Sequence, residues 1–196
     1  MNASESSVEL PATAWAVLGL LSFGRELSGY DLKKWADSSL RFFYWSPAAS
    51  QVYGELRRLE KLGLVTSRVA AQDDLRNKRL FRITDTGAAA IGDWVQHAPV
   101  EPTMLKHSVA LRVWLGHLAD PAHLRDVVEE HRDNAARLAE EAAQASASAA
   151  AAADEHWEFP ALVTRWSQRY YESERRLADE MLADLDALTA SGSSSG

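Results

Sequence analysis

Apolar positions along the chain recur with helical period, interrupted once by a short stretch of strand-like alternation. Ala14, Val17, Leu18, Leu20, Leu21 and Phe23 predict a first, largely buried helix that breaks near Gly24. Ser28 offers an N-cap for a second helix, with Tyr30, Leu32, Trp35 and Leu40 facing inward. Ser46 and Pro47 supply a cap and a first-turn proline for a third helix, which Gly63 ends. Its core stripe, Val52, Leu56, Leu59 and Leu62, recurs at i, i+4, i+7 and i+10. Leu64–Val69 and Lys78–Ile83 read as strands around a turn at Asp73–Asn77, with Phe81 and Ile83 on one face. Thr84 or Asp85 caps a fourth helix reaching His97, and Pro99 and Pro102 mark a boundary.

Past that boundary every segment has helical period. Met104–His117 predicts one helix, stopped near Asp120-Pro121. Leu124, Val128, His131, Ala135, Leu138, Ala142, Ala145, Ala149 and Ala152 then alternate steps of four and three, the spacing of a coiled-coil seam. Beyond Ala142 the seam is nearly all alanine, and it reads either as a helix allowing close approach or as a solvated Ala/Ser linker. A last helix, Phe159–Leu188, presents Leu162, Trp166, Tyr170, Leu177, Met181, Leu185 and Leu188. Such thin seams bury little area alone. The helices either form an antiparallel bundle within one chain or, the reading preferred here, pair with a second copy. The expected dimer-interface residues are Leu124, Val128, Leu138, Leu162, Trp166, Tyr170, Leu177 and Met181.

Composition narrows the class. The 196 residues, 46% of them apolar, suffice for a core in each part. With no cysteine, disulfides and thiolate metal sites are excluded and an intracellular home is the default. The longest apolar run, Ala14–Phe23, is about half the ~20 residues a membrane span needs, and no positively charged leader precedes it. A cytoplasmic protein without a membrane partner is expected. The net charge of −7 argues against nucleic acid until its distribution is read. Residues 1–97 hold 12 basic and 11 acidic residues, whereas residues 98–196 hold 9 and 17. Between Arg57 and Arg82 there are 8 basic and 3 acidic residues, a local +5. Because charge is felt over a Debye length of about 8–10 Å, that patch outweighs the total.

The patch sits on a helix followed directly by a basic hairpin, the arrangement with which a winged helix reads duplex DNA. Ser50 and Gln51, on the N-terminal turns, are the expected base readers. Tyr53, Arg57, Arg58 and Lys61 are expected on phosphates, and Arg76, Lys78 and Arg79, in or beside the hairpin turn, on the flanking backbone. The alternative for the helix is an ordinary surface helix whose arginines pair with Glu55 or Glu60, and for the wing an edge strand protected by charge. The fold class expected is mainly α with a small β wing, an N-terminal winged helix-turn-helix plus a C-terminal long-helix dimerisation domain. Its parts are a flexible tail at 1–11, a DNA-binding domain at 12–98, a dimerisation and effector domain at 99–190, and a flexible tail at 191–196.

The first ~97 residues resemble the PadR family of winged-helix transcriptional regulators. The resemblance lies in Leu18-Gly19-Leu20-Leu21, Ser28-Gly29-Tyr30-Asp31-Leu32, the run from Val52 to Val65, and Arg79-Leu80-Phe81-Arg82-Ile83-Thr84-Asp85-Thr86-Gly87. Family members usually carry Lys-Tyr-Tyr where this chain has Arg79-Leu80-Phe81, so a phosphate contact by those tyrosine hydroxyls is lost here. The resemblance implies a homodimeric, mostly repressing regulator held together by its C-terminal helices, some members of the family being released from DNA by small aromatic ligands. Two-fold symmetry in turn predicts a pseudo-palindromic operator with half-sites about one helical turn, roughly 34–36 Å, apart.

Seven tryptophans offer flat surfaces to a planar ligand, and Trp15, Trp94 and Trp114 are the candidate effector contacts, with core packing as the competing account. All six histidines lie from His97 onward, and none shows a ligand pair at metal-site spacing, His117 and His123 being the only pair worth noting. No nucleophile elbow, phosphate loop or metalloprotease motif is present. No catalysis, cofactor or metal is expected. The expected function is sequence-specific DNA binding by a dimeric, effector-released repressor; the rival is a winged helix used for protein contact without DNA.

Overall fold

Local sequence signals end and cap the elements of the first half so tightly that little slack remains between them. The computed structural model describes residues 8–70, 78–152 and 156–193, which fall into two compact units, Met1–Glu101 and Pro102–Gly196. The fold is mainly helical with a two-stranded antiparallel wing, a winged helix-turn-helix followed by long helices. Among the described residues no helix is long and apolar enough to cross a membrane.

In the first unit, α1 (Ala12–Leu21) buries Ala14, Trp15, Val17, Leu18, Leu20 and Leu21. Phe23 lies beyond its end, half-buried against the Trp35 ring at 5.2 Å. Of the expected N-terminal tail, residues 1–7 lie outside the described residues, while Leu10 packs on the core. Helix α2 (Gly29–Ser38) opens with a complete capping box: the Asp31 N–H donates to Ser28 Oγ at 3.2 Å, and the Ser28 N–H donates to the Asp31 carboxylate at 3.0 Å. Leu32 is fully buried, but Tyr30, expected inward, is exposed.

Helix α3 (Ala49–Lys61) starts two residues later than the Ser46-Pro47 signal suggests. Ser46 spends its hydroxyl on the Asp37 carboxylate at 2.5 Å, and the Gln51 side-chain carbonyl accepts the Ala48 N–H at 2.8 Å in its place. Val52, Leu56 and Leu59 are buried, whereas Leu62 is half-exposed. The reason is the helix ending. Gly63 takes a φ of 70°, its N–H donates to Glu60 O and the Leu64 N–H to Leu59 O, so the chain reverses and Leu64 takes the core place expected of Leu62.

Strands β1 (Val65–Ala70) and β2 (Lys78–Ile83) pair with Ser67 opposite Phe81 and Val69 opposite Arg79. The turn expected at Asp73–Asn77 lies outside the described residues. Phe81 is buried and exchanges both backbone hydrogen bonds with Leu27, which ties the wing strand to the entry of α2. Helix α4 (Asp85–His97) is capped by the Thr84 hydroxyl, which accepts the Gly87 N–H and itself donates to Gly63 O at 2.7 Å.

The second unit contains α5 (Ser108–Trp114), α6 (Pro121–Ala150) and α7 (Glu158–Ser193). Helix α5 is shorter than the expected Met104–His117, because His107 caps it and a 3-10 turn at Gly116–Leu118 replaces its end. The alanine-rich stretch is helical through Ala150, not a linker, and Ser191–Ser193, expected in the tail, still belong to α7. Helices α6 and α7 run antiparallel, with Arg125 paired to Asp186 near one end and Ser146 Oγ donating to Ala161 O at 3.1 Å near the other.

Their shared face is made of small residues: Ala135, Ala139, Ala142 and Ala149 on α6, and Ala161, Thr164, Ser167 and Ala178 on α7. The alanine seam of α6 admits only a slim partner face, so α7 turns its small side inward. The bulky residues Leu162, Trp166, Tyr170, Leu177 and Leu188 are therefore turned outward and exposed.

Two glycine substitutions test this packing. A Cβ on Gly87 would lie 2.0 Å from Leu64 O, against backbone that cannot yield, whereas one on Gly92 in α4 meets nothing within 4 Å. Chemical denaturation should show Gly87→Ala destabilised by about 2 kcal/mol or more and Gly92→Ala stabilised by up to ~1 kcal/mol. Equal effects would contradict the tight junction.

Candidate nucleic-acid interface

Helix α3 buries one side and shows the other. Ser50, Gly54, Arg57 and Lys61 follow at i, i+4, i+7 and i+11 along the line opposite Val52, Leu56 and Leu59. Gln51 and Arg58 flank that line on one side and Tyr53 on the other, and all six side-chain-bearing candidates of this helix are exposed. Gly54 has open space over its Cα, so a groove wall can approach the backbone there.

Tyr53 is not a free rod. Its ring lies across Gly29, where a Cβ would come within 2.4 Å, so the capped start of α2 orients the phenol. Gln51 is also partly engaged: its carbonyl caps α3, which leaves the amide NH2 free to donate. Bidentate pairing with adenine needs both atoms and would uncap the helix, at a cost of about 1 kcal/mol.

The cations divide into two groups. Arg57 and Lys61 have no ion pair among the described residues. Arg58 pairs with Glu55 at 3.0 Å, Lys78 with Asp31 at 2.9 Å, Arg79 with Glu60 at 2.7 Å, and Arg68 with Glu26. Arg76 lies outside the described residues. Lys78 and Arg79, expected from sequence to be free for the DNA backbone, are therefore held by acids of their own unit.

Those pairs clip the wing to the helices. Arg79 Nε donates to Ser67 Oγ at 2.9 Å, the Ser67 hydroxyl donates to Glu60 at 2.5 Å, and the same guanidinium reaches both Glu60 oxygens. It also lies 5.2 Å from the Phe81 ring centroid. The Ser67 hydroxyl and, against partial burial, the Arg79 charge hold the Glu60 carboxyl below its ordinary value. Burial would raise Asp31, but the Ser28 hydroxyl and the Lys78 ammonium outweigh it and keep that carboxyl low. The sequence missed this clip because Glu60 and Ser67 look like unremarkable surface positions; their pairing requires the turn at Gly63.

Among the effector candidates, Trp15 and Trp94 stack with centroids 5.3 Å apart, Trp15 buried and Trp94 partly open. Trp114 belongs to the other unit, where it ends α5 and is 82% exposed. Of the expected dimer residues, Leu124 and Val128 are corrected: both are buried within the protomer, Val128 against Ala178 and Leu182. Leu138 and Met181 are half-buried, and Leu162, Trp166, Tyr170 and Leu177 are exposed.

Residues 17–93 match the transcriptional regulator PadR-like family, and residues 105–186 match the virulence activator alpha C-terminal family. The negative transcriptional regulator PadR of Bacillus subtilis (strain 168) is 38% identical over 91 residues, 46% of this chain and 49% of that protein, so the match spans about half the length of that relative. The crystal structure of Bacillus subtilis PadR in complex with operator DNA is similar with a TM-score of 0.76 over 89% of this chain and 99% of that one, at 24% identity. Its complex with p-coumaric acid gives 0.69 over 90% and 99%, at 22% identity. These likenesses of structure concern the fold.

The clip has a pH signature. A carboxyl lowered in the folded state adds stability above its ordinary value of 4.5 and loses it as pH falls through the lowered pKa. Glu60→Gln should therefore melt slightly below the parent at pH 7, the pair being largely exposed, and the gap should close as pH falls from 4.5 through the lowered pKa. A gap that stays constant with pH would show that the ionised form of Glu60 is not what holds the wing.

Proposed function

We propose that this chain, which belongs through residues 17–93 to the PadR-like transcriptional regulator family, is a sequence-specific DNA-binding regulator that acts as a dimer and represses. The carrying observation is the open line Ser50–Gly54–Arg57–Lys61 on α3, opposite the core, with the wing clipped beside it through Arg79 and Glu60. Ser50 and the free amide of Gln51 face base edges in the major groove, and Arg57 and Lys61 meet phosphates without first giving up a partner. Arg58, Lys78 and Arg79 must exchange a carboxylate for a phosphate, so they gain less and act mainly to set the wing's position. The Bacillus subtilis relative crystallised with operator DNA supports this reading. The chain is non-enzymatic and acts in the cytoplasm, where the DNA is.

Dimerisation rests on α7. Phe159, Leu162, Trp166, Tyr170 and Leu177 form an exposed stripe along a long helix whose other side is already packed. An apolar stripe of that length marks an interaction surface, and a second copy covers it by two-fold symmetry. Two α3 helices then meet half-sites about one helical turn apart, roughly 34–36 Å. A planar effector would extend the Trp15–Trp94 stack over the open Trp94 ring; p-coumaric acid bound to the Bacillus subtilis relative supports the ligand class.

In vitro selection from random duplexes should enrich a pseudo-palindrome of that spacing; no enrichment would favour a protein-binding winged helix instead. Arg57→Ala should weaken binding to all duplexes and reduce the log–log salt slope by about one unit, whereas Gln51→Ala should reorder preferences among duplexes. A uniform loss from both would contradict the assigned roles. In sedimentation, Trp166→Glu should give a folded monomer, while Leu124→Ala should lower the melting temperature without dissociating the dimer; a dimeric Trp166→Glu protein would exclude the α7 stripe.

A further inference from the structure

Three polar side chains that lie far apart in sequence meet in the helical unit. His107 at the start of α5, His131 in α6 and Glu174 in α7 bring one ligand atom each to within 4.8 Å of one another, and all three residues are half-buried. Glu174 Oε2 lies 3.2 Å from His107 Nε2 and 3.3 Å from His131 Nε2. The imidazoles meet edge to face with centroids 4.8 Å apart. Sequence spacing hides this group, because its members are separated by 43 and 67 positions and sit on three elements.

We propose that His107, His131 and Glu174 bind a divalent transition cation of the zinc class. A tetrahedral site with metal–ligand bonds of about 2.0–2.1 Å places its ligand atoms roughly 3.3–3.4 Å apart. Two edges of the triangle already have that length. Two imidazoles and one carboxylate suit zinc, cobalt or nickel, not calcium or magnesium, which take oxygen ligands. A cavity of about 250 Å³ adjoins the three groups, with Asn134, Tyr170 and Tyr171 among its walls, and leaves room for water in the fourth position.

Binding has a structural cost. His107 Nδ1 accepts the Ala110 N–H at 3.0 Å, which caps α5 and leaves the proton of the neutral ring on Nε2, toward Glu174. To ligate through Nε2, His107 must carry that proton on Nδ1 and release Ala110. Cation binding and the α5 cap therefore compete, which weakens the site several-fold relative to a preformed one and links its occupancy to the first turn of α5.

The test is calorimetric titration of the chelator-treated full chain with zinc chloride, together with the visible absorption of its cobalt form. One ion per chain and a low-coordinate cobalt spectrum are expected. His131→Ala and Glu174→Gln should weaken binding at least tenfold. His107→Asn, which keeps a capping acceptor but no imidazole, should do the same while retaining the parent's circular dichroism. Replacing the exposed His117 and His123 should change nothing. Absence of saturable binding, or binding that survives Glu174→Gln and His131→Ala, or binding lost with His117 and His123, would overturn the site and leave a hydrogen-bonded polar cluster in its place.

Discussion

The first unit depends on how α3 ends. Gly63, at a φ of 70°, lets the chain leave the helix and enter β1 through a turn of three residues, 62–64. Around that reversal the backbone is fully occupied: Leu64 N–H returns to Leu59 O, Thr84 N–H donates to Leu64 O, and the Thr84 hydroxyl donates to Gly63 O. Gly87 must lack a side chain because Leu64 O occupies the place of its Cβ. A helix end, a strand start and the next helix start thus share a few atoms. The wing cannot swing about α3 without breaking them, and the Arg79–Ser67–Glu60 clip closes the same junction from the solvent side.

That rigidity has a functional consequence. A surface assembled before it meets DNA loses little ordering entropy on binding, so a small number of free cations suffices. Four of the eight basic residues between Arg57 and Arg82 are tied to Glu26, Asp31, Glu55 and Glu60. In the proposed reading such pairing restrains indiscriminate attraction to phosphate and leaves discrimination to Ser50, Gln51 and the close approach that Gly54 allows. In the second unit the same economy of volume operates differently. Alanine, serine and threonine bring α6 and α7 close together, and their bulky neighbours are turned outward.

Much of this was legible in the sequence wherever the signal was local. Ser28 with Asp31, Gly63, the exposed line of α3, both strands and the Thr84 cap all follow from residues within a turn of one another. What was not legible depends on distant partners. Ser46 looks like a cap until Asp37 takes its hydroxyl, and Lys78 and Arg79 look free until Asp31 and Glu60 are folded against them. Heptad spacing located the apolar stripe of α7 without saying whether it meets α6 or another surface. Only the narrowness of the alanine seam decides that. His107, His131 and Glu174 escaped for the same reason, since no spacing rule joins three helices.

The central claim is that the exposed line of α3 and its clipped wing form a ready-made surface for duplex DNA. Fluorescence anisotropy of the full chain with a labelled random-sequence duplex, repeated across potassium chloride concentrations, tests it most directly. The account predicts binding at low salt that weakens linearly on a log–log plot, with a slope of a few units from the small number of free cations. No binding at low salt, or affinity indifferent to salt, would contradict it.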